Sequence, residues 1–256
     1  MTLEDFSNNF DVLLNSYTKK VTFGEDSSAY DIRLDEYEKS LYLTNAQEEL
    51  ILSLYNGKNI YKEGFEETEE MRRYLADLIN EQELSPLEDS VATQKSIIGI
   101  DGLKHQYFDL PDGSTSGVPS VWFITYESAK TVAGEGACGA SKSIQVVPVR
   151  QDDYHKIKKN PFRGPNNRRA LRLDLSGNKV EIVSKFTLSK YYIRYLTKPT
   201  PIILVDLPDG VTIESLDKAT PCKVHESLHQ MILELAVNKV LQTKGISTGN
   251  KEKNNK

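Results

Sequence analysis

The chain has 256 residues and a formal net charge of −5, with 38% hydrophobic and 27% charged residues, which describes a polar chain that can still bury a sizeable core. The negative charge argues against a general nucleic-acid binder, and two cysteines are too few for a disulfide framework or a four-thiolate metal site, so we expect free thiols in a reducing compartment. The acidic N-terminus differs from a secretory signal and no apolar run approaches a membrane span, so we expect the protein to stay where it is made, without a membrane.

Residues 1–90 are predicted to form a mainly helical region. Apolar residues at spacings of three and four predict a short amphipathic helix over 3–14, and the polar segment 18–33 is expected to be a loop or a short hairpin. A second helix is predicted over 34–57, where a glycine ends it, and a third over 68–81.

The second predicted helix carries two start signals. Asp35 with Glu38, and Thr44 with Gln47, each have the spacing of a capping box, in which two side chains and two backbone amides pair reciprocally at a helix N-terminus. Either pair can therefore cap exposed backbone amides.

Residues 91–243 are predicted to form a β-rich body closed by a C-terminal helix that runs to about Lys244, and 244–256 a polar tail. The clearest hairpin spans 170–184, because two alternating segments flank Ser176-Gly177-Asn178, and glycine and asparagine tolerate positive φ. The fold class predicted from these elements is α+β. Further strands are predicted over 96–101, 105–110, 120–128, 143–150, 190–196 and 201–207.

The final helix opens with a motif typical of metalloproteases. His225, Glu226 and His229 spell H-E-x-x-H, in which two histidines one helical turn apart bind zinc and the glutamate acts as general base. A zinc metallohydrolase is therefore one alternative function. A catalytic zinc also needs a third protein ligand, and only Glu234 on the same helix or Glu252 in the tail follows the motif.

A structural helix fits the same residues better. Leu228, Ile232 and Val240 recur at helical spacing, and both His225 and His229 are expected to fall within this apolar stripe. Histidines in such a stripe are most often hydrogen-bonded core or interface residues. We therefore predict no metal, no cofactor and no catalytic residues.

Charged residues are concentrated in two segments of opposite sign. Residues 154–173 contain basic side chains and no carboxylate, whereas 66–70 is rich in glutamate. Such runs are often only solvated surface, but in an assembly they steer subunits and fix register, and a third interpretation is that the basic run faces DNA phosphates. The residues predicted to face a partner or DNA are Lys156, Lys158, Lys159, Arg163, Arg168, Arg169 and Arg172.

Three blocks of the sequence are informative together: LDEYEKSLYLTNAQEELILSLYNG, GFEETEEMRRYLADLI and KPTPIILVDLPDGVTIESLDKATPCKVHESLHQMILELAV, which cover both ends of the chain but not the β-rich middle. These blocks resemble those of virion structural proteins of crAss-like tailed bacteriophages of Bacteroidales. The resemblance implies a non-enzymatic protein of the head-to-tail connector or tail, in particular a ring-forming adaptor beneath the portal. It carries over no individual functional residues.

The resemblance also implies partners and a location. Such rings are commonly dodecameric, line a channel for DNA and link the capsid to the tail. We therefore expect contacts with further copies of the chain, with the portal and with neighbouring ring or tail proteins, and non-specific contact with packaged DNA. The protein is expected to be made in the host bacterial cytoplasm and to reside in the neck or tail of the virion. A zinc hydrolase and a DNA-binding protein are the alternatives, distinguished by bound metal and by salt-sensitive affinity for duplex DNA.

Overall fold

The computed structural model divides the chain into two compact units. We call Met1–Leu78 with Pro199–Lys256 the helical unit and Ile79–Lys198 the sheet unit. Helices lie toward both ends of the chain and strands occupy the middle, which confirms the α+β fold class. The residues that the structure describes are 1–21, 32–58, 62, 64–65, 67–87, 102–115, 117–134 and 140–244.

The first helix is longer than predicted. It continues beyond residue 14 into the segment expected to be a loop, of which residues 22–31 lie outside the described part of the chain. None of the described helices is long and apolar enough to span a membrane. The helices are α1 (Leu3–Val21), α2 (Glu36–Tyr55), α3 (Glu69–Leu75), α4 (Tyr154–Ile157, in the sheet unit) and α5 (His229–Thr243), with short 3-10 helices at Ala76–Leu78 and Glu226–Leu228.

The helix α2 begins at the first of its two predicted start signals. The Asp35 side chain accepts a hydrogen bond from the Glu38 amide at 2.7 Å, and the Glu38 side chain accepts one from the Asp35 amide at 3.3 Å, which completes the capping box. The second signal caps nothing, because Thr44 and Gln47 are buried inside α2. Their side chains bind the backbone of residues 200–202 instead.

The segment 201–207 was predicted to extend the sheet, and this prediction is wrong. The segment belongs to the helical unit, where the Ser40 hydroxyl of α2 accepts a hydrogen bond from the Leu204 amide at 3.0 Å. Ile203 pairs with Thr220 in an isolated bridge. An apolar, strand-like sequence is also compatible with a segment whose backbone groups form hydrogen bonds to polar side chains of a helix. The sequence of residues 201–207 therefore could not show whether the segment pairs with a strand or with a helix.

The last helix packs within the helical unit, although the sequence grouped it with the β-rich body. α5 packs against both α1 and α2, which present buried apolar residues such as Phe6, Phe10 and Leu43. The helix ends at Thr243, next to its predicted end. Its buried face consists of His229, Ile232, Leu233, Ala236, Val237, Val240 and Leu241.

The described residues of the sheet unit form a sheet of seven strands in the order β1-β7-β3-β4-β5-β6-β2. Its neighbouring strands are antiparallel except for the parallel pair β4 and β5. The predicted hairpin and the strands predicted over 105–110, 120–128, 143–150 and 190–196 are confirmed, whereas 96–101 lies outside the described residues. The strands are β1 (Ile79–Leu84), β2 (Lys104–Asp109), β3 (Val121–Thr131), β4 (Ser143–Pro148), β5 (Arg169–Asp174), β6 (Lys179–Ser184) and β7 (Leu188–Thr197).

The strand β1 occupies residues that were partly predicted as helix. The third helix was expected to reach Glu81, but α3 and its 3-10 extension end at Leu78 and the strand starts at Ile79. β1 pairs antiparallel with Tyr191–Leu196 of β7, which lies far along the chain. This long-range pairing overrides the local helical pattern.

The sheet curls so that one face encloses a single core. Side chains from all its strands contribute, from Leu84 on the edge strand β1 to Phe108 on the other edge strand β2. The Leu87 amide, just after β1, donates a hydrogen bond to the Tyr107 carbonyl of β2 at 2.8 Å. The outer face of β5 and β6 is covered by a second cluster that includes Tyr154 of α4, so both faces of these strands are buried.

Candidate functional site

The basic segment, residues 154–173, connects two neighbouring strands. It follows β4, forms the short helix α4, makes two turns and enters β5, which runs parallel to β4. Parallel neighbours need a long crossover rather than a tight turn. The segment is attached to the sheet by Tyr154, whose ring is buried in a cluster with Leu171, Leu173 and Val183.

Hydrogen bonds shape the middle of the basic segment. The Asn160 side-chain oxygen accepts hydrogen bonds from the Phe162 and Arg163 amides at 2.9 and 3.1 Å. The Arg169 guanidinium donates to the Phe162 carbonyl at 2.9 Å. Gly164 packs so closely that an added Cβ would lie 2.7 Å from the Asn160 carbonyl oxygen. These contacts give the segment a defined shape between its two ends.

In this conformation the side chain of Phe162 is exposed to solvent. Phe162 is 85% exposed, although burying a phenylalanine is strongly favourable. Lys158 lies over the Tyr154 ring, with its ammonium nitrogen 5.3 Å from the ring centre. Of the cations predicted to face a partner or DNA, Lys156, Lys159, Arg163 and Arg168 are exposed, and Lys158 and Arg169 are half-buried.

Arg172 is separate from this exposed group. Its side chain is only 10% exposed, and its guanidinium contacts the Glu127 carboxylate at 2.7 Å and the Asp174 carboxylate at 3.1 Å. The Tyr191 hydroxyl donates to the other Glu127 oxygen at 2.7 Å. Alternation along β5 explains the placement, because Arg172 lies on the same face as Ala170, whose side chain belongs to the enclosed core.

Burial shifts the pKa values of Glu127 and Tyr191, which form a buried network with Arg172. Burial raises the pKa of Glu127, and the Arg172 guanidinium opposes that rise. Burial also raises the pKa of Tyr191 far above its usual value, so the hydroxyl stays protonated and remains a donor. Arg172 therefore belongs to this buried network, and its inclusion among the outward-facing cations does not fit its position.

The acidic segment, residues 66–70, contributes Glu69 and Glu70 to the first turn of α3. Thr68 caps this helix by accepting a hydrogen bond from the Met71 amide at 3.3 Å. Glu69 pairs with Arg73 at 2.8 Å, and Glu70 accepts a hydrogen bond from the Tyr74 hydroxyl. Glu66 lies outside the described residues.

A shallow cleft lies beside this helix. Its volume is about 370 Å³, and the Tyr74 and His225 rings meet in its wall with their centres 5.8 Å apart and their planes tilted by 52°. We call this the α3 cleft, and it is lined by Glu69, Glu70, Arg73, Tyr74 and His225.

The histidines of the H-E-x-x-H motif do not lie on successive turns of one helix. His225 precedes the 3-10 helix with φ −50° and ψ 136°, and its Nδ1 accepts a hydrogen bond from the Ser227 amide at 3.3 Å. α5 begins only at His229. The continuous helix that aligns two imidazoles on one zinc ion is therefore missing from this motif.

The two imidazoles also have different surroundings. His229 is buried, as predicted, with Nε2 donating to the Val224 carbonyl at 3.0 Å and Nδ1 3.1 Å from the Met1 amine. Burial lowers the pKa of His229, which favours the neutral ring. His225 is exposed, so its predicted place in the apolar stripe is wrong. In the described part of the chain, no three His, Cys, Asp or Glu residues are grouped to hold a metal.

The sequence analysis did not identify two aromatic residues of these surfaces, Phe162 and Tyr74, as candidate functional residues. Phe162 has a visible signal, because it stands between Pro161 and Pro165 inside a basic run, where an apolar side chain is hard to bury. Tyr74 has none, because its spacing from Met71 and Leu78 is that of a residue on the apolar, buried face of a helix. Only the fold brings it beside His225.

Comparison with known proteins identifies the family. Residues 1–252 match the family described as phage tail ring protein 3/4. The chain belongs to this family of phage tail ring proteins. It is 42% identical over 253 residues to Ring protein 3 of Bacteroides phage crAss001, with 98% of this chain and 100% of that protein covered. It is also 28% identical over 246 residues to Ring protein 4/5 of the same phage, with 93% and 91% covered.

Membership of the phage tail ring protein 3/4 family confirms the resemblance to structural proteins of crAss-like phages. The match also extends through the sheet unit, which the three resembling sequence blocks did not include. The basic segment and the α3 cleft therefore both lie within the part of the chain that the family shares.

Proposed function

We propose that the chain is a non-enzymatic subunit of a closed, dodecameric ring in the neck or upper tail of a virion. The observation that carries this proposal is the match to phage tail ring proteins along residues 1–252. Identity of 42% to a protein named Ring protein 3 supports the same role. In this role the chain acts through contacts between its surfaces and those of its partners, and it needs no cofactor.

The proposed ring lies beneath the portal and links the capsid to the tail around the DNA channel. Its partners are further copies of the chain, the portal and the neighbouring ring or tail proteins, with non-specific contact to packaged DNA. The protein is made in the host bacterial cytoplasm before it enters the particle. The exposed cations of the basic segment face an acidic protein surface or DNA in this assembly.

Ring closure requires a particular kind of contact. Identical subunits that form a ring meet through two different surfaces, because a head-to-tail contact must repeat around the axis. Each such contact should bury more than about 1,000 Å² to be specific. The presence of both a basic and an acidic surface on the chain supports contacts of this kind.

Imaging of intact virions tests the proposed function. We expect density for this chain as one closed ring of twelve copies coaxial with the tail. Virions lacking the chain should show loss of the same ring and of everything below it. Density for the chain as a fibre, as a shell component or as scattered monomers inside the capsid would contradict the proposal.

A further inference from the structure

We propose that the tip of the basic segment in one copy docks into the α3 cleft of a neighbouring copy. The tip is defined as residues 159–165, and Phe162 and Arg163 are its side chains that contact the cleft. This inference rests on the proposed ring and adds one of the contacts that would hold its subunits together. The occupant of the cleft is thus a second copy of the same chain.

The tip has the composition and form of an interface anchor. Phe162 is 85% exposed, and its backbone is fixed on both sides by Asn160 and Arg169. Aromatic and arginine side chains carry most of the binding energy at interfaces when they enter a pocket. A loop shaped before binding loses little entropy on docking. Phe162 beside the exposed Arg163 therefore provides a preformed aromatic and cationic pair.

The α3 cleft complements both members of that pair. The Tyr74 and His225 rings, tilted by 52° to each other, offer aromatic surface against which a third ring can pack. Glu69 and Glu70 supply two carboxylates, of which Arg73 neutralises only one, so the cleft keeps a negative charge for Arg163. The volume of about 370 Å³ accommodates an aromatic side chain.

The chemistry of the tip favours a protein over DNA as its partner. Contacts to DNA phosphates need cations but no exposed phenyl ring, and packaged duplex DNA offers no unstacked base to receive one. An acidic cleft with aromatic walls uses both the ring and the charge. DNA and the other ring proteins remain as outcomes that the experiment separates.

Covalent trapping in virions tests the contact directly. Arg163→Cys and Glu70→Cys are combined in a chain whose native Cys138 and Cys222 are replaced by serine. Oxidation of purified virions should convert this chain into a ladder of covalent multimers on a non-reducing gel. Either single cysteine, or Glu70→Cys paired with Lys104→Cys, an exposed lysine on β2, should leave only monomer or dimer background.

Charge exchange provides a second measurement. Arg163→Glu and Glu70→Arg should each lower the number of copies per virion about tenfold, because opposed charges across an interface become like charges. The double exchange should restore the number to within about twofold of the original, since it re-forms the pair in reverse. Lys104→Glu, which removes an exposed cation elsewhere, should change it little.

The outcomes separate the docking contact from the ring itself. If imaging shows the ring but the cysteine pair gives no multimers and the double exchange gives no rescue, the docking inference is wrong and the proposed function stands. A disulfide confined to the monomer would overturn it as well. If Arg163→Glu instead lowers genome retention and salt-sensitive DNA binding, the tip faces DNA. Absence of any ring would overturn both proposals.

Discussion

Thr44 and Ile202 are joined by a reciprocal pair of hydrogen bonds. The Ile202 amide donates to the Thr44 hydroxyl oxygen at 3.1 Å, and the Thr44 hydroxyl donates to the Ile202 carbonyl at 3.3 Å. Both residues are buried. One helix side chain thus satisfies both backbone groups of an extended residue, as a neighbouring strand would do in a sheet.

We expect Thr44→Val to destabilise the protein by about 1–3 kcal/mol, because the buried amide and carbonyl of Ile202 lose their partner while the side-chain volume is conserved. Urea unfolding of the purified chain measures this change. Thr243→Val is the matched control, since its hydroxyl is exposed at the end of α5. Equal effects of the two substitutions would show that the contact with Ile202 contributes no more to the free energy of unfolding than an exposed hydroxyl does.

The sequence correctly predicted structural features that depend on residues close together in the chain. The Asp35–Glu38 capping box and the turn at Gly177-Asn178 are both present, with positive φ at both turn residues. Each depends on contacts within a few residues, so one local pattern specifies it. The end of the third helix was predicted wrongly because Ile79 pairs with Leu196, which no local pattern reveals.

Candidate surface residues were harder to predict for a related reason. Composition marked the basic segment correctly as a concentration of cations, but it could not separate Arg172 from Arg168. Arg172 is buried because β5 is covered on both faces, and Arg168 is exposed just before that strand begins. Distinguishing them requires the position of the strand and of its distant partner Glu127.

Gly164→Ala should distort the basic segment. An added Cβ would lie 2.7 to 2.9 Å from three carbonyl oxygens of the same segment, so the backbone must shift. We expect a loss of about 1–3 kcal/mol in the free energy of unfolding, typical of overpacking, together with fewer copies per virion. Gly64→Ala is the control, because the nearest atom to its Cβ would be 3.7 Å away. Unchanged stability of Gly164→Ala would mean that the segment adapts easily.

Arg172→Met should destabilise the chain by about 3–5 kcal/mol, because it leaves the Glu127 carboxylate buried without its cation. The pKa of Glu127 is already raised by burial and should rise further in this variant. A carboxyl with a raised folded-state pKa binds its proton more tightly when folded, so stability should fall as pH rises from the unfolded pKa of about 4.3 to the folded one.

Denaturant unfolding across this pH range measures the Arg172 effect. Arg168→Met makes the same chemical change at an exposed position and should alter stability by less than about 0.5 kcal/mol. Adding Glu127→Gln to Arg172→Met should recover part of the loss and remove its pH dependence. If the two arginine variants behave alike, the buried ion pair is not the source of the effect.

Purified protein should contain no stoichiometric zinc. His225 lies outside α5 and packs on Tyr74, and both ring nitrogens of His229 have protein partners, so the motif does not present two imidazoles to one ion. Elemental analysis after purification without chelator tests this expectation. One zinc per chain, lost in His229→Gln, would revive the hydrolase interpretation.

His229 should make the protein less stable as pH falls. Because burial lowers its folded-state pKa, the unfolded chain takes up a proton below about pH 6.5 while the folded chain resists it until lower pH. Stability therefore decreases as pH drops through this window, and His229→Gln should remove that component of the slope even if it lowers stability at neutral pH. Thermal unfolding at a series of values from about pH 7.5 to 5.5 measures the slope. His155→Gln, which removes an exposed histidine of α4 in the sheet unit, is the matched control. The same slope in His229→Gln as in the original chain would assign the pH dependence to other groups.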